Sequence, residues 1–433
     1  MEDRLGPLAH HPHVADEENL GAEAHAIVRT GKALLNAGAE SHRVRLSMEQ
    51  VAAAMGIQWL QSQVTLSEVS VTLFKDAQFR TQVGQVHSIG VNADKITRLE
   101  LMTDQLRPGT TPQAIEALLQ EIDDRGSRYS PWFSSLSAAL ACTAVAFLNN
   151  AWWLETVGVL LAAFLGQFLR VFLLRRSINV YLTALLATML AAFTYIGVSR
   201  GLAQLLHDSS PHGAGCVPAV LFIVPGFPLV TAVLDLVKSD ITAGVSRIAY
   251  AFMILASAAA ALVTVTWVFG ISPSPLPPPP LPWPWLWLLS ALASWLGVAG
   301  WAIMFNTRLR GAFIAGGVGL VANLGRLALL ELGAPTWAAA TLACLMIGLS
   351  AHFCVVRQRL AEVTIAVPAA LIMIPGAPAF RALVAFSQGD ANSLLANSGQ
   401  AVFTIMGMAI GLSLAKLLTD RDWVFDKRHV LGS

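Results

Sequence analysis

The chain has 433 residues, 55% of them apolar and 13% charged, with a net charge of +1. An average soluble domain is about 25% charged, so a fully soluble globular protein is excluded, and a near-zero net charge offers nothing to nucleic acid. Of the 55 charged residues, 29 lie in residues 1–130 and 26 in all that follows, dividing the chain into a polar front and an apolar back.

The opening stretch MEDRLGPLAHHPHVADEENLG has no basic run leading into an apolar core, so we expect residues 1–21 to be a disordered tail rather than a signal or transit peptide. Pro12 interrupts His10, His11 and His13, and no acid or cysteine stands at ligand spacing, so no metal site is expected. Cys142, Cys216, Cys344 and Cys354 form no CxxC pair and read as small buried residues. Residues 22–56 place Ile27, Leu34, Leu35, Val44, Met48 and Val51 at helical spacing and predict one helix ending near Gly56. The alternating, β-branched QWLQSQVTLSEVSVTLF and then FRTQVGQVHSI predict a hairpin turning at Lys75-Asp76. Helices are expected over 92–107 and 111–126, the second opened by Thr111 as cap and Pro112 as first residue. Residues 22–130 thus read as a small α+β domain.

From Trp132 the sequence becomes apolar runs of about 20 residues, the length that crosses roughly 30 Å of hydrocarbon. Spans are expected at 132–150, 153–173, 178–198, 217–237, 245–268, 283–305, 311–331, 335–356, 362–384 and 398–418. Five belong to a membrane repeat at 131–270 and five to a second at 285–419, followed by a tail at 420–433. The connector at 271–284 has seven prolines between Pro273 and Pro282 and no charge, which suits a stiff spacer; Trp283, Trp285 and Trp287 fit an interfacial belt. Lys and Arg gather at Arg125/Arg128, Arg170/Arg175/Arg176, Lys238, Arg308/Arg310, Arg357/Arg359 and Arg421/Lys427/Arg428, with Arg200 and Arg381 as exceptions. By the positive-inside rule both termini are then cytoplasmic, in a multi-pass inner (plasma) membrane protein whose surroundings are the lipid bilayer.

Spans four and nine repeat one phrase: VPAVLFIVPGFPLVTAVLDLVKSD from Val217 and VPAALIMIPGAPAFRALVAFSQGD from Val367. Five spans per repeat is an odd number, so the repeats face the membrane in opposite senses. Inverted repeats with Pro/Gly-interrupted helices at equivalent positions are a transporter device, because a broken helix frees backbone groups near the midplane. The expected fold is therefore an α-helical polytopic membrane protein of ten transmembrane helices, two inverted five-helix repeats behind a cytoplasmic α+β domain.

On one helix face the first copy carries Pro225, Gly226, Pro228, Thr231 and Asp235, and the second Pro375, Gly376, Pro378 and Arg381. Arg381 takes the place of Thr231. Two readings stand for Asp235: a proton-titrating acid, or a residue at the cytoplasmic end that faces water. Asp240 and Asp390 read as N-caps. In span seven, Asn323 and Arg326 lie mid-membrane beside Gly316, Gly317 and Gly319. A charge there costs at least ~2.5 kcal/mol and marks a functional candidate. Gln167 and His352 read as satisfied buried polar groups. No phosphate loop, nucleophile elbow or HExxH occurs, so neither an ATPase nor a hydrolase is expected and no cofactor is implied.

GKALLNAGAESHRVRLSMEQVAAAMGI, the strand pair, IGVNADKITRL and the two Pro-Gly-x-Pro spans together resemble the threonine/serine exporter family over residues 25–418. The resemblance rests in front on Gly38, Ala39, Glu40, Arg43 and Val44; where relatives usually place an acid after the Arg-Val pair, Arg45 stands here. It implies proton-driven efflux of a small polar metabolite such as threonine or serine. Some relatives divide the halves between two polypeptides and are linked to dicarboxylate export, which is the alternative substrate class. On this reading Arg326, Arg381 or both face a carboxylate, Asp235 carries the proton, the front domain gates or regulates the cytoplasmic mouth, and a homo-oligomer is open. A membrane-embedded enzyme would lack a nucleophile or metal constellation, and a scaffold would leave the repeated breaks unexplained.

Overall fold

The structure is a computed structural model that describes residues 12–75, 78–86, 90–208, 212–271, 279–358 and 360–420. His10, His11, most of the proline connector and the basic tail lie outside these residues.

In the front of the chain, α1 (Pro12–Asn36) and α2 (Ser41–Ala54) replace the single helix expected over 22–56. α1 starts inside the stretch expected to be a tail. The break comes at Gly38, whose φ of +97° lies in the left-handed region that a side chain resists. The expected hairpin is instead a three-stranded antiparallel sheet of order β1 (Trp59–Val64), β2 (Glu68–Lys75) and β3 (Gln78–Gln85). β1 and β2 are the two halves of what read as one long strand, reversed at Thr65, whose N–H donates to the Glu68 carbonyl at 2.9 Å. Val69, Val71 and Leu73 alternate inward and are fully buried with Ile27, Leu34, Val44 and Met48. α3 (Ala93–Asp104) is capped by Asn92, which accepts from Lys95 N at 3.0 Å. α4 (Pro112–Asp124) is capped by Thr111, as expected.

The apolar back contains α5 (Pro131–Leu148), α6 (Trp153–Arg175), α7 (Val180–Leu206), α8 (Gly226–Val237), α9 (Ile241–Phe269) and α10 (Trp283–Met304). It continues with α11 (Leu309–Glu331), α12 (Thr336–Gln358), α13 (Val363–Leu371), α14 (Gly376–Gln388) and α15 (Ala391–Thr419). Among the described residues eight helices are long and apolar enough to cross a membrane, or nine if the 63° bent pair 213–223 and 226–237 is one span. The protein is a multi-pass membrane protein. Ten spans were expected; the ninth, 362–384, falls on α13 and α14, each too short to cross alone.

Packing in the second half follows the first. α5, α6, α7 and α9 neighbour one another in the order that α10, α11, α12 and α15 repeat, and α5 meets α10 between them. Small residues bring these helices close: Gly300 leaves a methyl group only 2.5 Å from the Ser137 carbonyl, and Gly407 the same distance from that of Trp337.

The front docks on one face of the helices. Ala93 N donates to the Phe305 carbonyl at 2.9 Å, Arg128 N to Asn306 Oδ1 at 2.9 Å, and Tyr129 Oη to the Thr307 carbonyl at 2.7 Å. Asp94, nearly buried, meets Arg98, Arg128 and Arg308. α5 begins at this face, whereas α10 ends there.

His42 on α2 sits among Lys238, Arg45 and Arg43, and burial first, then those cations, pushes its imidazole down to about 4. Its unfolded counterpart titrates near 6.5, so the unfolded state takes up a proton first. Stability is then lost as pH falls from 6.5 towards 4, by at most about 1.4 kcal/mol per pH unit. Thermal unfolding of the wild type and His42→Gln at pH 7.5, 5.5 and 4.5 should show the gap between them moving in the variant's favour on acidification; parallel curves would refute this.

Candidate functional site

Proline at the end of each first half-helix cannot donate a hydrogen bond, and in both copies it forms the same turn. Pro225 has φ −78°, ψ 59° and Pro375 φ −75°, ψ 56°, the inverse γ geometry. Gly226 N donates to the Val224 carbonyl at 2.8 Å and Gly376 N to that of Ile374 at 2.7 Å. The helix then restarts, with Leu229 N on Pro225 O and Ala379 N on Pro375 O, both at 3.0 Å. Before the break the first copy is 3-10 (Pro218–Ile223), while the second is the α-helical α13 with Pro368 inside it.

The two breaks seat on each other. A methyl group on Gly226 would collide with Cδ2 of Leu371, and one on Gly376 would lie 2.8 Å from Cδ2 of Leu221. Leu221 and Leu371 occupy the same place in the repeated phrase, five residues before each glycine.

Beside this crossing is a cavity of about 330 Å³, walled by the second break, the ends of α5 and α11, the start of α12 and part of α15. It is at the small end of ligand pockets, which run about 300–1,000 Å³. Arg326, Pro375, Gly376, Pro378 and Arg381 all line it, with Asn149, Thr336, Gln400 and Thr404 as further polar groups. Among the described residues its lining includes no Asp or Glu. Each arginine is held by its Nε alone: Arg326 Nε donates to Asn323 Oδ1 at 2.9 Å, and Arg381 Nε to Asn397 Oδ1 at 3.1 Å. Asn323 is fully buried and donates to Ser294 Oγ at 2.8 Å, so it aims Arg326 rather than lining the cavity. Among the described residues the terminal nitrogens of both guanidinium groups make no hydrogen bond, which suits them to bidentate pairs with carboxylates. The N-terminus of α14 adds a positive dipole end. The cavity extends from the Asn149 end of α5 to Trp301 and Phe305 at the end of α10, close to where the front docks.

Of the first copy, neither Thr231 nor Asp235 reaches the cavity. Asp235 does not face water: it is 1% exposed, its Oδ2 is 2.9 Å from Arg247 Nε, and its Oδ1 accepts from Ser41 N at 2.8 Å. A carboxylate from α8 thereby caps the N-terminus of α2. Arg247, also 1% exposed, donates to the Ala39 carbonyl at 2.7 Å and to Thr231 Oγ1 at 3.3 Å. Asp235, Thr231 and the segment from Gly38 to Arg43 thus form a joint between front and helices. Arg45 completes it by gripping Asp240 through both terminal nitrogens, one contact at 2.8 Å. Asp240 occupies the N-cap position of α9 without making the side-chain cap bond; Asp390 does make it, accepting from Ser393 N at 3.1 Å.

Our reading of the sequence overlooked Arg247. The repeat offset of 150 would have flagged it, since it pairs position 247 with 397, and the pairs Thr231/Arg247 and Arg381/Asn397 are one contact with the arginine moved from one helix to the other. Likewise Gln167 and Arg170 on α6 match Asn323 and Arg326 on α11, with Arg170 Nη1 donating to Gln167 Oε1 at 3.4 Å.

Comparison with known proteins decides the family. The model described as "Putative threonine/serine exporter" matches residues 25–269, and that described as "Threonine/Serine exporter, ThrE" matches 290–418. The chain belongs to the threonine/serine exporter family. The chain is 28% identical over 232 residues to "Probable succinate transporter subunit YjjP" of Escherichia coli, covering 52% of this chain and 87% of that one. The Klebsiella aerogenes protein of the same name is 26% identical over 245 residues, 55% and 91% of the two chains. "Pheromone-regulated membrane protein 10" of Debaryomyces hansenii is 25% identical over 238 residues, 52% of this chain and 22% of the relative. No solved structure matches. Membership of this exporter family makes the protein a membrane transporter, and the cavity at the second break is its candidate substrate site.

Proposed function

We propose that the protein is a proton-driven exporter of small dicarboxylates, built as two inverted five-helix halves that cross the membrane ten times, with both termini cytoplasmic. The observation that carries the substrate class is the cavity at the second break, where two arginines with free terminal nitrogens meet no carboxylate among the described residues. A dianion satisfies both guanidinium groups, whereas the ammonium of an amino acid would find only carbonyls, amides and hydroxyls. The names of the enterobacterial relatives agree with this choice. The cationic clusters at the docked face favour the cytoplasmic side for the front, so on this reading the front covers the inner mouth.

A second reading, export of threonine or serine, is favoured by the family description and by the hydroxyls of Thr336 and Thr404 in the wall. The deciding experiment loads proteoliposomes with labelled succinate or labelled threonine, imposes a proton gradient and follows efflux with succinate, serine and alanine as competitors. Protonophore-sensitive succinate efflux, competed by succinate and not by serine, is the expected result. Threonine efflux competed by serine would install the second reading, and no flux of either solute would remove both.

A further inference from the structure

A row of voids leads from the cavity towards the docked face. The cavity wall includes Ile374; the next void, about 20 Å³, is lined only by Leu229, Val230, Val233, Ile374, Ile405, Met408, Ala409 and Leu412. Beyond it, sharing Val230 and Leu412, is a chamber of about 30 Å³ whose lining includes Glu40, Arg43, Glu100, Glu362 and Lys416. One water needs roughly 10–15 Å³ measured in this way, so the chamber has room for about two, while the apolar plug stays dry.

Three carboxylates face two cations in this chamber. Lys416 on α15 pairs with Glu362 at 2.7 Å, and Arg43 Nε on α2 lies 3.9 Å from Glu40 Oε1. Glu40 is 5% exposed, yet among the described residues its Oε2 finds no hydrogen-bond partner. Among the described residues Glu100 on α3 has no ion-pair partner within 4.0 Å, although Arg43, Glu40 and Lys416 act on it electrostatically, as does Asp104 one turn along α3. Asp420 after α15 and His42 on α2 complete the charged surroundings. The surplus carboxylate has a ready solution, which is to hold a proton. Burial pushes the Glu100 carboxyl up to about 6, against the pull of Arg43.

Resting on the transport reading above, we propose that Glu40, Glu100 and Glu362 form the proton site of the exporter, a chamber at the inner end of the substrate route in which one proton is shared among three carboxylates. An O–H bond forms on a carboxylate when the proton arrives from water, and it breaks when the proton leaves to water on the other side of the cycle. The neutral chamber then lets α13 and α15 part from α2 and α3 without separating unbalanced charges, whereas the ionised chamber holds them by attraction to Arg43 and Lys416.

The test uses the full chain in proteoliposomes and compares two modes, exchange of labelled for unlabelled succinate at equal pH and net efflux driven by a pH gradient. Glu100→Gln is the main variant, because Glu100 holds no ion pair that its loss would orphan; exposed Glu121→Gln is the control. Glu100→Gln should keep exchange within about twofold, lose net proton-driven efflux by about tenfold or more, and flatten the rate profile around pH 6. Unchanged net efflux with an unchanged pH profile would overturn the proposal. So would equal loss of both modes in a variant of normal thermal stability, since the chamber would then serve substrate passage instead. If Glu100→Gln is unstable, Glu40→Gln, which keeps the hydrogen-bonding capacity, must show the same split between modes. Absence of exchange in the wild type would instead count against the transport reading itself.

Discussion

Arg247→Ala should be among the most damaging single changes in the protein, costing about 3–5 kcal/mol of stability, the range found when one partner of a buried ion pair is removed. It leaves Asp235, 1% exposed, with only the Ser41 N–H and hydroxyl for its charge, and it strips the Ala39 carbonyl of its donor. Asp235→Asn should cost less but in the same direction, because Arg247 keeps Ala39 and Thr231 while losing its counter-charge. Arg247→Gln removes the charge alone, and the double change Asp235→Asn with Arg247→Gln, which buries no charge, should be more stable than the sum of those two singles predicts. Thermal unfolding in detergent across this cycle measures the coupling. A double variant as weak as the sum of the singles would show that the pair does not act as a unit.

Arg326→Ala and Arg381→Ala should each weaken substrate binding by about 10- to 100-fold, the equivalent of one charge-assisted hydrogen-bonded pair at roughly 1.5–3 kcal/mol. Lysine should not restore Arg326, because Asn323 holds the guanidinium by Nε and leaves a planar fork that an ammonium lacks. If the two arginines each take one carboxylate, Arg381→Ala should also change preference: a monocarboxylate of similar length should compete with succinate far better than it does against the wild type. Competition curves in proteoliposomes report both quantities. Equal affinities in wild type and Arg326→Ala would remove the cavity as the binding site.

How much of this was legible in sequence depends on how local each cause is. The two breaks were legible because proline lacks an N–H wherever it stands, and their repetition at a fixed offset marked them as equivalent. Nine of the ten expected spans coincide with a long helix or with the bent pair, since twenty apolar residues have few other uses. The division of α1 from α2 was hidden: Ala37 and Ala39 favour a helix, the apolar stripe continues through Val44, and only the φ of Gly38 interrupts it. The reversal between β1 and β2 was hidden too, because Thr65-Leu66-Ser67 contains no glycine or proline. Least legible was the environment of Asp235, since its partner Ser41 lies 194 residues away and the carboxylate seemed to have a free choice between water and protons. Asn323 was flagged correctly as a midspan polar group, but whether it touches substrate or holds the residue that does is a matter of packing that no periodicity reports.

The seating of Leu221 over Gly376 and of Leu371 over Gly226 also bears on how the molecule is made. Each half supplies the filling for a notch in the other, and the phenyl ring of Phe227 stacks edge-on against Phe305 across the same boundary, 5.5 Å between centroids. During synthesis, the first half therefore waits with its notch open until residues beyond 370 have entered the membrane, and Asp94 waits for Arg308. A first half released as a separate polypeptide would carry the same open notch as a permanent demand for its mate. Division of such a transporter into two chains accordingly yields obligate partners, each unfinished until it meets the other.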